Sequence, residues 1–158
     1  MVYDFTADDV FEMAEKLERN GAKFYRTAAE NVSDPRSKKL LIELAAMEDE
    51  HEKTFASLRA DLTEAEKTTT VFDPENESAL YLRALADTRV FFEKKIDTSS
   101  MKEILKAAIV AEKDSIVFYL GLKDFVPDQL GKNRLDTIIK EEMGHIRILS
   151  KELVSLHK

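Results

Sequence analysis

Two segments of the 158-residue chain repeat one another without a gap, at an offset of 94 residues. Each copy reads Glu-x6-Tyr-x22-Glu-x2-His, and the two sets are Glu18, Tyr25, Glu48 and His51, then Glu112, Tyr119, Glu142 and His145. A repeat that keeps every spacing over this length requires both copies to fold in the same way. It therefore predicts two equivalent halves related by an approximate two-fold axis.

The periodicity of apolar residues predicts four long helices, two in each copy of the repeat. They extend from about Ala7 to Val32, from Asp34-Pro35 to about Leu62, from Ser100 to about Phe125, and from Gly131 to the C-terminus. Asp34-Pro35 is an N-cap followed by proline at the first helical position. Thr6 with Asp9 and Ser100 with Glu103 have the spacing of capping boxes. The short connection within each pair predicts an antiparallel hairpin.

The region between the two hairpins is long enough to cross the length of a bundle. Residues 63–73 lack a helical period and are predicted to be a connection. Asp73-Pro74 repeats the cap signal and predicts a shorter helix from about Glu75 to Thr88. We therefore predict an all-α four-helix bundle of two antiparallel hairpins, with a long crossover containing a short helix, as a single domain over residues 1–158.

Composition excludes several other classes of protein. Four Gly and three Pro are too few for the turns of a β-sandwich or barrel. A net charge of −7 disfavours nucleic acid and anionic membrane as partners, and the absence of Cys excludes disulfides, thiolate zinc sites and iron–sulfur clusters. The start of the chain lacks a signal-peptide pattern, and no apolar run approaches ~18 residues. We therefore expect a soluble, cytoplasmic protein.

Six polar residues of the repeat fall on the apolar stripes that face the core: Glu18, Glu48, His51, Glu112, Glu142 and His145. No Lys or Arg occupies these stripes, and a bare carboxylate in such an interior costs several kcal/mol. Two divalent cations would balance four carboxylates, with one neutral imidazole completing each coordination sphere. Oxygen-rich ligation with one imidazole per metal suits iron or manganese better than zinc or calcium. The alternative is a set of buried polar groups in an ordinary bundle.

Four segments of the chain resemble the rubrerythrin branch of the ferritin-like di-iron carboxylate proteins: residues 18–25, 48–51, 112–119 and 142–145. One Glu from each of two helices and Glu-x-x-His from each of the other two is the pattern of that class. The resemblance covers nearly the whole chain and implies a ferritin-like bundle with two iron ions, for which manganese or zinc could substitute. It implies ligation by the same six residues, with Glu48 and Glu142 bridging, Glu18 and Glu112 terminal, and one His on each iron.

The resemblance also implies an activity. An oxidoreductase of this type reduces hydrogen peroxide or dioxygen at the di-iron centre with electrons from an external donor protein, in the context of oxidative stress. We further expect a homodimer. Two features depart from the family: Ser115 replaces a further Glu often found one turn beyond Glu112, and there is no Cys to build a rubredoxin-like module. An iron-binding, ferroxidase or storage protein without peroxidase turnover is the alternative, and a structural bundle with a relic site is a third class.

Other residues near the predicted site have two interpretations. Tyr25 and Tyr119 are either core aromatics with a buried partner or donors to a ligating side chain. Gly21 and Ser115, one turn from Glu18 and Glu112, either leave room for the oxidant or allow close helix packing. The remaining acidic residues fall outside the inward stripes and are predicted to be solvated: Asp49, Glu50, Glu52 and Glu141.

Overall fold

Four long helices and one short helix make up the fold that a computed structural model describes for residues 6–68, 97–123 and 131–157, together with Leu80 and Val126. They are α1 (Ala7–Asn31), α2 (Pro35–Ala60), α3 (Glu64–Thr68), α4 (Met101–Leu122) and α5 (Lys132–Ser155). No strand is found within these ranges. The all-α bundle of two hairpins is therefore confirmed, with α1 against α2 and α4 against α5. None of the described helices is long and apolar enough to cross a membrane.

The first two N-caps are those that the sequence predicts. The Thr6 hydroxyl accepts from the backbone N–H of Asp9 at 3.2 Å, while the Asp9 carboxylate accepts from the Thr6 N–H at 2.9 Å. The Asp34 carboxylate accepts from the Ser37 N–H at 2.8 Å, and proline follows it at the start of α2. Both caps satisfy backbone donors that a helix start leaves unpaired.

The starts of α4 and α5 differ from each other. Ser100 accepts from the Glu103 N–H at 3.2 Å, but the Glu103 carboxylate pairs with Lys106 Nζ at 3.1 Å, so the structure describes one bond of the predicted capping box. Helix α5 follows Gly131, whose φ of 143° is a conformation that side chains disfavour. A Cβ at Gly131 would lie 2.9 Å from the Leu58 side chain, so this glycine lets α5 begin against α2.

The connection predicted over residues 63–73 contains a single helical turn. Helix α3 spans Glu64–Thr68, and its Lys67 N–H donates to the Thr63 carbonyl at 3.0 Å. Five residues make less than about one and a half turns, so no 3.6-residue period could show in the sequence. The short crossover helix predicted from Glu75 to Thr88 lies outside the described residues, apart from Leu80, which is helical.

Two apolar clusters fill the bundle, one towards each end. The first joins the start of α1 and the end of α2 to the end of α4 and the start of α5, around Phe11, Phe55 and Phe118. The second joins the opposite ends of the same helices, around Leu41 and Leu105. The polar residues of the repeat come between the two clusters along each helix, so they form a layer enclosed by apolar side chains.

Candidate metal centre

The six side chains that the repeat predicts to face the core meet in the polar layer. All are buried, and the most accessible of them, Glu48, is 5% exposed. Glu18 lies on α1 and Glu112 on α4, while α2 and α5 each supply a Glu and a His three residues apart. Residues three positions apart lie on the same face of a helix, so the Glu and the His of each pair point in the same direction.

The first group of potential metal ligands consists of Glu18, Glu48, His51 and Glu142, whose ligand atoms all lie within 4.8 Å of one another. The Nδ1 atom of His51 is at the centre of the group. It lies 2.9 Å from Glu142 Oε1, 3.5 Å from Glu18 Oε2 and 3.9 Å from Glu48 Oε2. Three of the four helices that form the bundle therefore reach this position.

The second group consists of Glu48, Glu112, Glu142 and His145 and has the same size. The Nδ1 atom of His145 lies 3.0 Å from Glu142 Oε2, 3.2 Å from Glu48 Oε1 and 3.4 Å from Glu112 Oε1. Glu48 and Glu142 belong to both groups and turn one oxygen towards each histidine. The two positions consequently share two carboxylates.

Six buried atoms of this layer make no well-oriented hydrogen bond to a described residue, although the histidine nitrogens lie at ion-pair distance from the carboxylates. They are Glu18 Oε2, Glu48 Oε1, His51 Nδ1, both oxygens of Glu142, and His145 Nδ1. Buried polar atoms are nearly always paired, so six orphans in one place need an explanation. All belong to groups that offer a lone pair when deprotonated. Mixed carboxylate and imidazole donors suit iron and manganese, so the residues fit a pair of such ions.

The two tyrosines of the repeat contact the terminal carboxylates across the two halves. The Tyr25 hydroxyl donates to Glu112 Oε1, and the Tyr119 hydroxyl donates to Glu18 Oε1. Burial raises the pKa of both phenols well above the ordinary value, so each hydroxyl keeps its proton as a donor. Of the two interpretations of these tyrosines, the structure favours contact with the site.

The outward nitrogens of the two histidines have different partners. His51 Nε2 lies 2.7 Å from Glu141 Oε2, whereas His145 Nε2 lies 3.1 Å from Met47 Sδ. Glu141 is a site residue that the core-facing stripes do not include: its side chain is 54% exposed, as predicted, yet it also contacts a histidine of the site. Its position next to Glu142 and its alignment with Met47 in the repeat are the signals that could have indicated it.

The other three acidic residues predicted to be solvated lie on the surface of the hairpin. Asp49 pairs with Arg26, Glu52 with Arg19 at 2.6 Å, and Glu50 with Lys53 at 2.5 Å. All three arginine and lysine partners are more than half exposed, so these pairs contribute little to stability.

Burial acts to raise the pKa of every carboxylate in the layer, but the net pKa shifts differ. It raises the pKa of Glu18 and Glu48 above the ordinary value, most strongly for Glu48, and it raises the pKa of Glu112 to about 8. Burial also opposes ionisation of Glu142, but both histidine rings adjoin this carboxylate and its pKa lies below the ordinary value. Glu142 is therefore the carboxylate that keeps its charge in the metal-free protein.

The pKa values of the two histidines are also raised, but by neighbouring charge and against the effect of burial. Burial by itself would lower the pKa of both rings. The nearby carboxylates outweigh burial and raise the pKa of His51 to about 11 and that of His145 to about 12. In the metal-free protein, protons on the two rings and on several carboxylates therefore balance the charge that two cations would otherwise balance.

The small residues one turn from the terminal carboxylates contribute to packing. A Cβ at Gly21 would lie 3.4 Å from Glu48 Oε2, so the glycine lets this shared carboxylate lie close to α1. The Ser115 hydroxyl, at the equivalent place in the repeat, donates to the Ala111 carbonyl at 3.0 Å. The contact at Gly21 favours close helix packing there, whereas the Ser115 hydroxyl bonds within its own helix.

A groove on the surface leads to the histidines. It is an open cavity of about 630 Å³ between α2 and α5, and its wall includes Met47, His51, Glu141, Gly144 and His145. The two rings lie nearly parallel, with centroids 5.7 Å apart, and their outward edges form part of this wall. The groove therefore brings solvent close to the polar layer at one place.

The fold and the site define the class of protein. A bundle with one Glu from each of two helices and Glu-x-x-His from each of the other two is a ferritin-like di-metal carboxylate protein. The structure is similar to the crystal structure, at 2.30 Å, of a Thermotoga maritima protein described as ferritin-like and di-iron-carboxylate, with a TM-score of 0.72, 25% sequence identity and 97% of each chain covered. The sequence matches the rubrerythrin family over residues 9–153, and the chain belongs to that family. A comparison with curated proteins finds no match.

Proposed function

We propose that the six side chains bind two iron ions and that the loaded protein reduces hydrogen peroxide or dioxygen with electrons from an external donor. The observation that carries the proposal is the sharing of Glu48 and Glu142 between two four-residue groups. A lone cation would need one such group, whereas two shared carboxylates suit a pair of cations. When bound, the iron pair would supply the two electrons that convert one hydrogen peroxide, with two protons, into two waters.

Each residue has a proposed part in holding the pair. Glu48 and Glu142 would be shared by both ions, because each turns its two oxygens towards different histidines. Glu18 and Glu112 would each hold one ion, because each belongs to one group only. His51 and His145 contribute Nδ1, which points into the layer while Nε2 points to the groove. Manganese or zinc could substitute for iron at the same donors.

The tyrosines and the apolar clusters prepare the layer for this chemistry. Tyr119 occupies one oxygen of Glu18 and leaves Oε2 without a hydrogen-bond partner among the described residues. Tyr119 therefore fixes the Glu18 carboxylate through Oε1, and Oε2 is left to bind a cation. The apolar residues on both sides limit water, which strengthens the attraction between the carboxylates and a cation.

The surroundings of the layer support a small oxidant and separate partners. Peroxide and dioxygen are small enough to approach from the groove beside His51 and His145. These 158 residues contain no Cys and cannot themselves form a thiolate-bound electron-transfer centre, so the proposal assigns the electrons to a separate donor. Val110, Val117 and Leu120 are exposed apolar residues on α4, and they support the expectation of a homodimer.

Iron oxidation or storage without peroxidase turnover is the second candidate function. It is favoured by Ser115, whose hydroxyl is engaged with the Ala111 carbonyl where related proteins often carry a further Glu. A site limited to six ligands would oxidise iron without the ligand exchange associated with that extra carboxylate.

The experiment mixes anaerobic, Fe(II)-loaded protein with hydrogen peroxide or dioxygen in a stopped-flow spectrometer. Formation of a diferric absorption band, followed by its repeated loss and return with excess reductant, is expected for an oxidoreductase. A single oxidation without further turnover would favour the second candidate. Glu50→Gln, which changes an exposed carboxylate on the wall of the groove, is the matched control and should behave like the unmodified protein. No band with either oxidant would contradict both.

A further inference from the structure

Met47 and Glu141 occupy equivalent places in the repeat, 94 residues apart, and each immediately precedes a shared carboxylate. Each contacts the histidine of the opposite half: Glu141 Oε2 lies 2.7 Å from His51 Nε2, and Met47 Sδ lies 3.1 Å from His145 Nε2. Equivalent residues of the two halves thus contact equivalent histidine nitrogens, but one contact is made by a carboxylate and the other by a thioether.

The two partners differ in what they do to a ligating imidazole. A carboxylate is a charged acceptor, so it fixes the ring orientation, keeps the proton on Nε2 and makes Nδ1 a stronger donor to a metal. A thioether sulfur is a neutral and weak acceptor on a flexible side chain. Glu141 also places a negative charge beside His51, whereas Met47 places no charge beside His145.

We propose that Glu141 is a positioning residue that makes the two metal positions unequal, so that the position beside His51 fills before the position beside His145. The inference rests on the proposed metal centre and adds an order of loading to it. The four carboxylates do not supply this order, because Glu48 and Glu142 are shared and each position has one terminal Glu. Glu141 and Met47 differ between the two halves and contact the ligating rings directly.

The partial exposure of Glu141 and Met47 limits how strongly they can favour one metal position over the other. The Glu141 side chain is 54% exposed, and Met47 is 43% exposed, so water competes for both contacts. Loss of a partner behind a ligating histidine typically weakens metal binding by about 10–100-fold. We expect the lower end of that range, about a tenfold preference for the position beside His51.

The test uses the full chain, labelled with ¹⁵N in the histidine rings, and zinc as a diamagnetic probe. With one equivalent of zinc, NMR should show the coordination shift at His51 Nδ1 in most molecules, while His145 remains mostly in its metal-free state. A second equivalent should then shift His145. The assignments come from His51→Ala and His145→Ala, each of which removes one set of signals.

Exchanging the two partners provides the sharpest variant. The double substitution M47E/E141M should reverse the order, so that His145 is occupied first. Glu141→Gln keeps the shape of the side chain but removes its charge, and it should reduce the preference to less than about threefold. Glu50→Gln, on the same wall of the groove but paired with Lys53, should leave the order unchanged.

Two outcomes would overturn the inference while leaving the metal centre intact. One is equal loading of both histidines at one equivalent in the unmodified protein, and the other is an order that the M47E/E141M exchange does not alter. Absence of any coordination shift at either ring would instead count against the proposed metal centre. One titration therefore distinguishes an incorrect loading order from an incorrect assignment of the metal centre.

Discussion

Glu18 accepts a hydrogen bond from Tyr119, a residue 101 positions away on the opposite hairpin. The equivalent bond joins Tyr25 to Glu112, 87 positions away, in the reverse direction. Both tyrosines are fully buried, so each phenol satisfies a carboxylate oxygen that water cannot reach. The terminal carboxylates of the layer are therefore held from the other half of the molecule.

Removing one of these hydroxyls should destabilise the metal-free protein. Tyr119→Phe leaves Glu18 Oε1 buried without its donor, which is expected to reduce the free energy of unfolding by about 1–3 kcal/mol. Urea denaturation at constant pH measures the change. Ser115→Ala is the control, because the Ala111 carbonyl also lies four residues before the Ser115 backbone N–H in α4, so no buried group loses its partner. This variant should therefore lose much less stability than Tyr119→Phe. Equal losses in both variants would contradict a special role for the phenol.

The number of metal ions bound should depend on which carboxylate is changed. Glu48→Gln affects both four-residue groups, so we expect it to abolish binding of both ions. Glu112→Gln affects one group only and should leave about one ion per chain. Elemental analysis after loading with excess Mn(II) and gel filtration gives the stoichiometry. Retention of two ions by the Glu48 variant would rule out a bridging role.

The stability of the metal-free protein should fall between pH 6 and pH 9. Burial raises the pKa of Glu112 to about 8, above its unfolded value, so its contribution is present at low pH and is lost as the pH rises towards 8. His51 and His145, with pKa values raised to about 11 and about 12 by carboxylates, act in the same direction once the pH exceeds their unfolded value near 6.5. We expect a loss greater than about 1.4 kcal/mol, the equivalent of one pKa unit.

Chemical denaturation at several pH values, with chelator present, tests this dependence. Loading with metal should reverse its sign over the same interval, because the ligands must lose their protons to bind a cation. A metal-free protein that is more stable at pH 9 than at pH 6 would contradict the protonated state assigned to the layer.

Substitution by alanine should change the free energy of unfolding in opposite directions at two glycines, one at the start of α5 and one within it. Gly144 lies within the helix, and apart from the adjoining backbone of α5 itself, no heavy atom of the described residues is within 4 Å of the place that a Cβ would occupy. Gly144→Ala should therefore stabilise the protein by about 0.5–1 kcal/mol through helix propensity. Gly131→Ala combines a φ of 143° with a 2.9 Å contact to Leu58, and it should destabilise by more than about 1 kcal/mol. Thermal unfolding of the two variants side by side checks both signs.

Helical phase and repeat spacing were enough to predict the four long helices. They were also enough to predict that Glu18, Glu48 and Glu112 lie in the core together with Glu142 and the two histidines. Each of these residues follows its neighbours on the stripe by three or four positions, which determines the face on which it lies. Phase does not tell which side chain of an opposing helix is within reach. Glu141 illustrates this limit, because it points away from the core stripe of α5 and yet contacts a histidine of α2.

The same limit applies to smaller features. That Gly21 lies against the Glu48 carboxylate depends on the distance between two helices, which a pattern within one helix does not contain. Helix α3 was missed because one turn carries no repeated face. The crosswise pairing of Tyr25 and Tyr119 likewise required the relative placement of two hairpins.

The crosswise bonds have a consequence for how the molecule could have been assembled from simpler parts. A single hairpin contains a tyrosine and three potential ligands, but its tyrosine hydroxyl reaches only the carboxylate of another hairpin. Two identical hairpins could satisfy each other in the same way that the two unequal halves do here. Joining them in one chain allows the copies to diverge, and Met47 opposite Glu141 is a place where divergence has reached the neighbours of the ligands without disturbing the ligands themselves.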